Sequence, residues 1–152
     1  MSRFRSRVLT IAQQIACMRA VHPQFRVALQ TTARIIWRGA LTPTTLSERY
    51  EVEIYYRLGE EPSVAVLSPV IKEREGHRIP HVYKGNRPCL NVPGAGEWGP
   101  DKYIAYTVVG WLSEWLYFYE VWHATGNWLG GGHEPPPSVP EENREHSANP
   151  GG

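Results

Sequence analysis

The residue best suited to covalent chemistry is Cys89, in the stretch HVYKGNRPCLNVPGAGEW from His81 to Trp98. The only other cysteine is Cys17. A thiol attacks as its thiolate, and nearby positive groups favour that form over a free thiol of pKa about 8.5. His81, Lys84 and Arg87 precede Cys89 and Lys102 follows it. The setting suits a reactive thiol, while residue type alone leaves a packed, inert cysteine as the alternative.

Several chemistries compete for such a thiol. A cysteine hydrolase needs a histidine base held by an Asn or Asp, and His81, His123 and His133 are available. No spacing selects one of them. A zinc site from His77, His81 and Cys89 has suitable ligand types, but Pro80 breaks the segment that would space them, and no metal is expected. The chain has no GxxxxGK[ST] loop, so it carries no recognisable ATP site and no cofactor is expected. A carboxyl group transferred here must be activated elsewhere.

The elements around the cysteine must hold it in place. Cys89 lies in an irregular region from Pro69 to Pro100, punctuated by prolines and glycines. Structureless segments of that length in a compact domain are usually functional. Upstream, MSRFRSRVLTIAQQIACM predicts an amphipathic helix with Val8, Ile11, Ile15 and Met18 on one stripe and Cys17 packed beside them. Runs at Thr32–Leu41, Tyr50–Leu58 and Ser63–Leu67 predict three antiparallel strands in a meander. A helix, then strands, then loop and helix is the pattern of an α+β domain.

Downstream, Trp111, Trp115, Tyr119 and Trp122 fall on one stripe of a second helix, with Leu112 and Leu116 beside it. A core helix packed on the sheet accounts for this; an aromatic ligand platform is the competing reading. Gly126 and the run Gly130–Gly132 end the helix. From Glu134 onward the chain is Pro-rich and nearly devoid of apolar residues. The expected organisation is one domain over 1–133 and a disordered tail over 134–152.

The formal net charge of +1 gives no electrostatic reason to expect nucleic-acid or membrane partners. No apolar run approaches the length of about 20 residues that spans a bilayer, and the basic N-terminus lacks the uninterrupted apolar core of a signal peptide. Two cysteines without an export signal predict a reducing, cytoplasmic setting. The terminal Gly151-Gly152 matches the ending of conjugated ubiquitin-like proteins, but glycine is common in such tails and no function is expected for it.

The order helix, antiparallel meander, long loop and helix, with Ile79-Pro80-His81 placed eight residues before Cys89-Leu90, resembles the ubiquitin-conjugating enzyme fold. In that family a His-Pro-Asn motif precedes the catalytic cysteine. Here the proline is kept, Ile79 replaces the histidine and His81 the asparagine. Together with EWLYFYEVWHATGNWLGGGHEP, the segment IPHVYKGNRPCLNVPGAGEW resembles the bacterial ubiquitin-conjugating-like proteins of CBASS antiphage operons, over roughly Arg7 to Pro135.

The resemblance implies that Cys89 is a nucleophile that carries a protein C-terminus as a thioester. The implied cargo is the C-terminal glycine of a neighbouring cGAS/DncV-like nucleotidyltransferase, delivered with or without a separate activating enzyme. His81, at the asparagine position, is expected either to stabilise the oxyanion or to brace the loop, with Asn86 and Asn91 as further donors. Asp101, then Glu97, is nearest to the acidic residue that helps an incoming lysine lose its proton. The departure at His81 puts aminolysis in doubt more than thioester exchange. His133 stands either as a lip of the site or as a helix-terminal cap. A docking module without chemistry, and a cysteine hydrolase acting on a protein C-terminus, are the other two readings.

Overall fold

In the computed structural model, which describes residues 7–90 and 98–130, helix α1 runs from Ile11 to Val21. Thr10 caps it: its hydroxyl accepts from the Gln13 amide, and the Gln13 side chain accepts from the Thr10 amide. This cap corrects the expected stripe. Val8 lies before the helix, in extended chain where successive side chains point to opposite sides, so Val8 is exposed and Leu9 is buried. Ile11, Gln14 and Met18 form the buried face, with Ile15 and Cys17 half-buried against the core.

Among the described residues, Gln14 is the one polar residue fully inside. Its amide donates to the Lys102 carbonyl at 2.9 Å and accepts from the Ile104 amide at 3.0 Å. Both capacities of the amide are thus used, as burial requires. A ring nitrogen of His22 bonds the Ala105 carbonyl at 2.9 Å. These contacts moor α1 to a short 3₁₀ turn over Ile104–Tyr106, which leads into helix α2, Val108–Thr125.

The sheet has four antiparallel strands in sequence order: β1 Arg26–Gln30, β2 Arg34–Leu41, β3 Tyr50–Arg57 and β4 Ser63–Ser68. The three expected strands are β2 to β4. The fourth, β1, is a five-residue edge strand exposed at every position and is not among the expected strands. Thr31 starts β2 later than expected, because its hydroxyl accepts from the amides of Ala33 and Arg34 and closes the β1–β2 turn.

Along β2, Ile35, Trp37 and Leu41 are buried, and along β3 Tyr50, Val52, Ile54 and Tyr56. They share one core with Val64 and Val66 of β4 and with the buried side of α2. The domain is therefore α+β. Of the aromatic stripe, Trp115, Tyr119 and Trp122 are buried and Trp111 half-buried, so the core reading holds for most of it. Gly126 ends α2 in the left-handed conformation, φ 83°, its amide bonded to the Trp122 carbonyl at 2.7 Å. Among the described residues, no helix is long and apolar enough to cross a membrane. Asn91, Glu97, His133 and the 134–152 tail lie outside the described residues.

Candidate functional site

Within the stretch from Pro69 to Pro100, two short strands pair: β5, Val82–Tyr83, and β6, Arg87–Pro88. Val82 faces Pro88 and Tyr83 faces Arg87. Gly85 and Asn86 turn the hairpin with φ of 85° and 58°, left-handed values that glycine adopts at no steric cost and asparagine tolerates best among the rest. The Cys89 amide then donates to the His81 carbonyl at 2.8 Å, one rung beyond the last strand pair. The eight-residue spacing between His81 and Cys89 is thus the register of a hairpin. The Asn86 carbonyl accepts from the Val66 amide at 3.2 Å and ties the hairpin turn to β4.

His81 is itself left-handed, φ 52°, which costs a side-chain-bearing residue about 1 kcal/mol. Its surroundings hold it there. The same carbonyl that receives the Cys89 amide also accepts the Trp115 indole N–H at 3.0 Å, and the imidazole packs on Trp128 with centroids 5.1 Å apart. Trp128 in turn leans on Trp115 and Phe118. The aromatic helix therefore does more than fill the core: Trp115 clamps the backbone on which the cysteine hangs.

The Cys89 side chain is only 6% exposed. Its sulphur lies 3.2 Å from the Tyr83 hydroxyl, to which the thiol donates. Both side chains lie on one face of the hairpin, as diagonal neighbours across the strands. The hydrogen bond to Cys89, then burial, then the charge of a Cys89 thiolate push the Tyr83 hydroxyl up to about 12. At neutral pH Tyr83 is therefore protonated and able to donate.

Two hollows lie near the thiol, and Cys89 itself lines the narrow one. A narrow one brings Cys89 together with His81, Trp115, Trp128 and Glu114. A cleft of about 450 Å³ opens alongside, lined by Tyr83, Pro88, Leu90 and Trp98, with Lys84, Arg87 and Glu61 on its walls. Leu90 and Trp111 border both. The indole N–H groups of Trp98, in the cleft, and Trp128, in the narrow hollow, are buried without a hydrogen-bond partner.

The other expected residues are distributed unevenly. His81 shares the narrow hollow with Cys89, and Lys84 and Arg87 line the cleft. Asn86 serves the hairpin turn, and Asp101 is exposed in the turn before the 3₁₀ segment; neither lines the two hollows. Lys102 sits in that same turn, its carbonyl engaged by Gln14. His123 lines a separate pocket with Glu120. His77 pairs with Arg74 in an isolated bridge, and among the described residues no cluster of three or more His, Cys, Asp or Glu could hold a metal ion. Sequence reasoning missed Tyr83. The Lys-Gly-Asn turn between Tyr83 and Arg87 was the available signal, since a hairpin there returns the chain to Tyr83 two residues before the cysteine.

The family model described as Type II CBASS E2 protein matches residues 14–135, most of the chain. No curated protein matches it.

Proposed function

Because this chain belongs to the Type II CBASS E2 protein family, and so has a role in CBASS antiphage systems, we propose that Cys89 carries the C-terminal glycine of a partner cGAS/DncV-like nucleotidyltransferase as a thioester. The observation that carries the reading is the Cys89–His81 rung: it fixes a thiol, beside a protonated hydroxyl and an open cleft, on the segment where the ubiquitin-conjugating pattern places its cysteine. The order α1, meander, irregular segment, α2 supports reading this α+β domain as ubiquitin-conjugating-like.

The Cys89 thiolate attacks the carbonyl carbon of a glycine that arrives activated, as a thioester on a separate activating enzyme. A carbon–sulphur bond forms, the tetrahedral oxyanion collapses, and the donor thiolate leaves. Attacking and leaving groups are alike, so the step needs a positioned thiolate and little acid or base help. Passing the cargo to a lysine is harder, because the amine must lose a proton. Asp101 lines neither hollow beside Cys89. The carboxylates that do line the hollows are Glu114 in the narrow one and Glu61 in the cleft; on the reading proposed, cargo is held as a thioester without efficient transfer to lysine, and a Cys89-dependent isopeptide on targets would contradict this. His81 acts through its backbone carbonyl as a loop brace.

Coexpression with the nucleotidyltransferase of the same operon, followed by a non-reducing gel, tests the reading. Wild type should give a thiol-sensitive adduct, Cys89→Ser a thiol-resistant oxyester and Cys89→Ala none. Absence of an adduct, with an activating enzyme and ATP supplied, overturns it. The low exposure of Cys89 favours the second reading, a docking module that has kept the surface without the chemistry. In that case Cys89→Ala retains partner binding and phage protection. A hydrolase would instead turn over a C-terminal thioester or peptide.

A further inference from the structure

Tyr83 is absent from every role assigned so far, yet its hydroxyl is the group placed against the sulphur, at 3.2 Å. We propose that Tyr83 is a catalytic residue that donates its O–H to the Cys89 thiolate and thereby stabilises and orients the attacking sulphur; for its substrate the proposal rests on the thioester-carrier reading above.

The geometry supplies the argument. Hairpin register, not side-chain flexibility, sets the distance: Tyr83 and Cys89 are fixed by the Tyr83–Arg87 pair and the Cys89–His81 rung. In the resting thiol the S–H donates to the tyrosine oxygen. Once the sulphur proton is lost to solvent, the hydroxyl rotor turns and its own hydrogen points at the sulphur, a charge-assisted bond stronger than the one it replaces. This requires a hydroxyl that keeps its proton while the neighbouring thiol has lost its own. Tyr83 meets that condition, being pushed up to about 12 chiefly by its bond with Cys89. No proton is transferred between the two side chains.

The position also suits the acylation step. Tyr83 lines the open cleft, whereas Cys89 and His81 line the narrow hollow, so Tyr83 both borders the cleft and bonds the sulphur. As the carbon–sulphur bond forms, negative charge passes from sulphur to the carbonyl oxygen one atom further on, within reach of the same O–H. Among the described residues, the other ionisable groups lining the two hollows are His81 and Glu114 in the narrow one and Glu61, Lys84 and Arg87 in the cleft. Tyr83→Phe leaves all of them in place and removes the hydroxyl alone.

Alkylation of Cys89 by iodoacetamide, followed by mass spectrometry of its peptide in the full-length protein, reads thiolate reactivity without any partner. In Tyr83→Phe the rate at neutral pH should fall about tenfold, the size of one charge-assisted hydrogen bond, and approach wild type at alkaline pH where the thiol ionises unaided. The ratio of neutral to alkaline rates separates this from a change in access, which scales both alike. Tyr83→Ala, which also uncovers the sulphur, should lower the same ratio. Adduct formation with the nucleotidyltransferase should slow in parallel. A ratio unchanged from wild type in Tyr83→Phe overturns the proposal. A wild type that forms no adduct overturns the carrier reading instead, while the alkylation ratio still decides the role of Tyr83.

Discussion

The carbonyl of His81 accepts two hydrogen bonds, from the Cys89 amide at 2.8 Å and from the Trp115 indole at 3.0 Å. One oxygen thus links the thiol-bearing strand to the aromatic helix. Because a carbonyl has two lone-pair directions, both donors are satisfied without competing. The position of the thiol consequently depends on a residue in the middle of α2.

Trp115→Phe keeps an aromatic ring beside Tyr119 but removes the indole N–H together with the pyrrole part of a buried ring. Loss of the hydrogen bond and of that buried volume should cost about 3 kcal/mol of stability, measurable by urea denaturation. Thioester formation should fall several-fold more than that loss explains, since the hairpin is no longer clamped. Unchanged adduct kinetics in a destabilised protein would make the clamp purely structural.

Gly85 holds φ 85° with open space around its α-carbon. Gly85→Ala should therefore cost about 1 kcal/mol through backbone conformation alone, and Gly85→Asn less, since asparagine tolerates the left-handed region. Adduct formation should follow the same order, wild type above Asn above Ala. Equal adduct rates in all three would show that the hairpin turn does not govern the thiol.

Gln14→Leu replaces the buried amide by a side chain of similar size and breaks its bonds to the Lys102 carbonyl and the Ile104 amide. Loss of both bonds, one of them to the buried Ile104 amide, should cost about 3 kcal/mol. The melting temperature should drop accordingly, with little effect on Cys89 alkylation in the protein that remains folded, because the bonds of Gln14 go to the segment leading into α2 and not to the hairpin.

Alkaline stability should report on Tyr50. Burial, and next the Glu120 carboxylate that accepts its hydroxyl at 3.0 Å, raise its pKa well above the ordinary value of 10.0. A group whose folded pKa is raised contributes stability that is present below the unfolded pKa and lost as pH rises beyond it. Unfolding by urea should become easier above about pH 10. Tyr50→Phe should be less stable than wild type at neutral pH by about 1 kcal/mol yet lose less on going to alkaline pH. Glu120 keeps the Ser47 hydroxyl and the Glu48 amide as donors in that variant. Parallel pH profiles for the two proteins would contradict the assignment.

Local pattern carried much of this fold. Alternation revealed β2, β3 and β4, and helical spacing revealed the buried face of α2, because each of these elements sets one side against the core and the other toward water. Cys89 stood out by residue type and by its basic, Pro- and Gly-rich surroundings, and the eight-residue spacing from His81 was visible as a resemblance before its structural cause was known. Strand β1 escaped although Val27 and Leu29 alternate with Arg26, Ala28 and Gln30, a run of only five residues that the fold leaves exposed throughout. Val8 was misplaced because a cap at Thr10 decides where helical spacing begins.

What sequence by itself determined is the set of elements and the candidate nucleophile, both written in periods and residue types over short stretches. Tertiary structure alone decided which groups meet that nucleophile. The clamp from Trp115 comes from 34 residues away along the chain, and the Tyr83 contact depends on the register of a hairpin whose strands are two residues long. Asn86 and Asp101 lie nearby in sequence and were led elsewhere, one to a turn and the other to an exposed loop. Residue types announce what chemistry is possible; the distances that make it happen arise only when the chain folds back on itself.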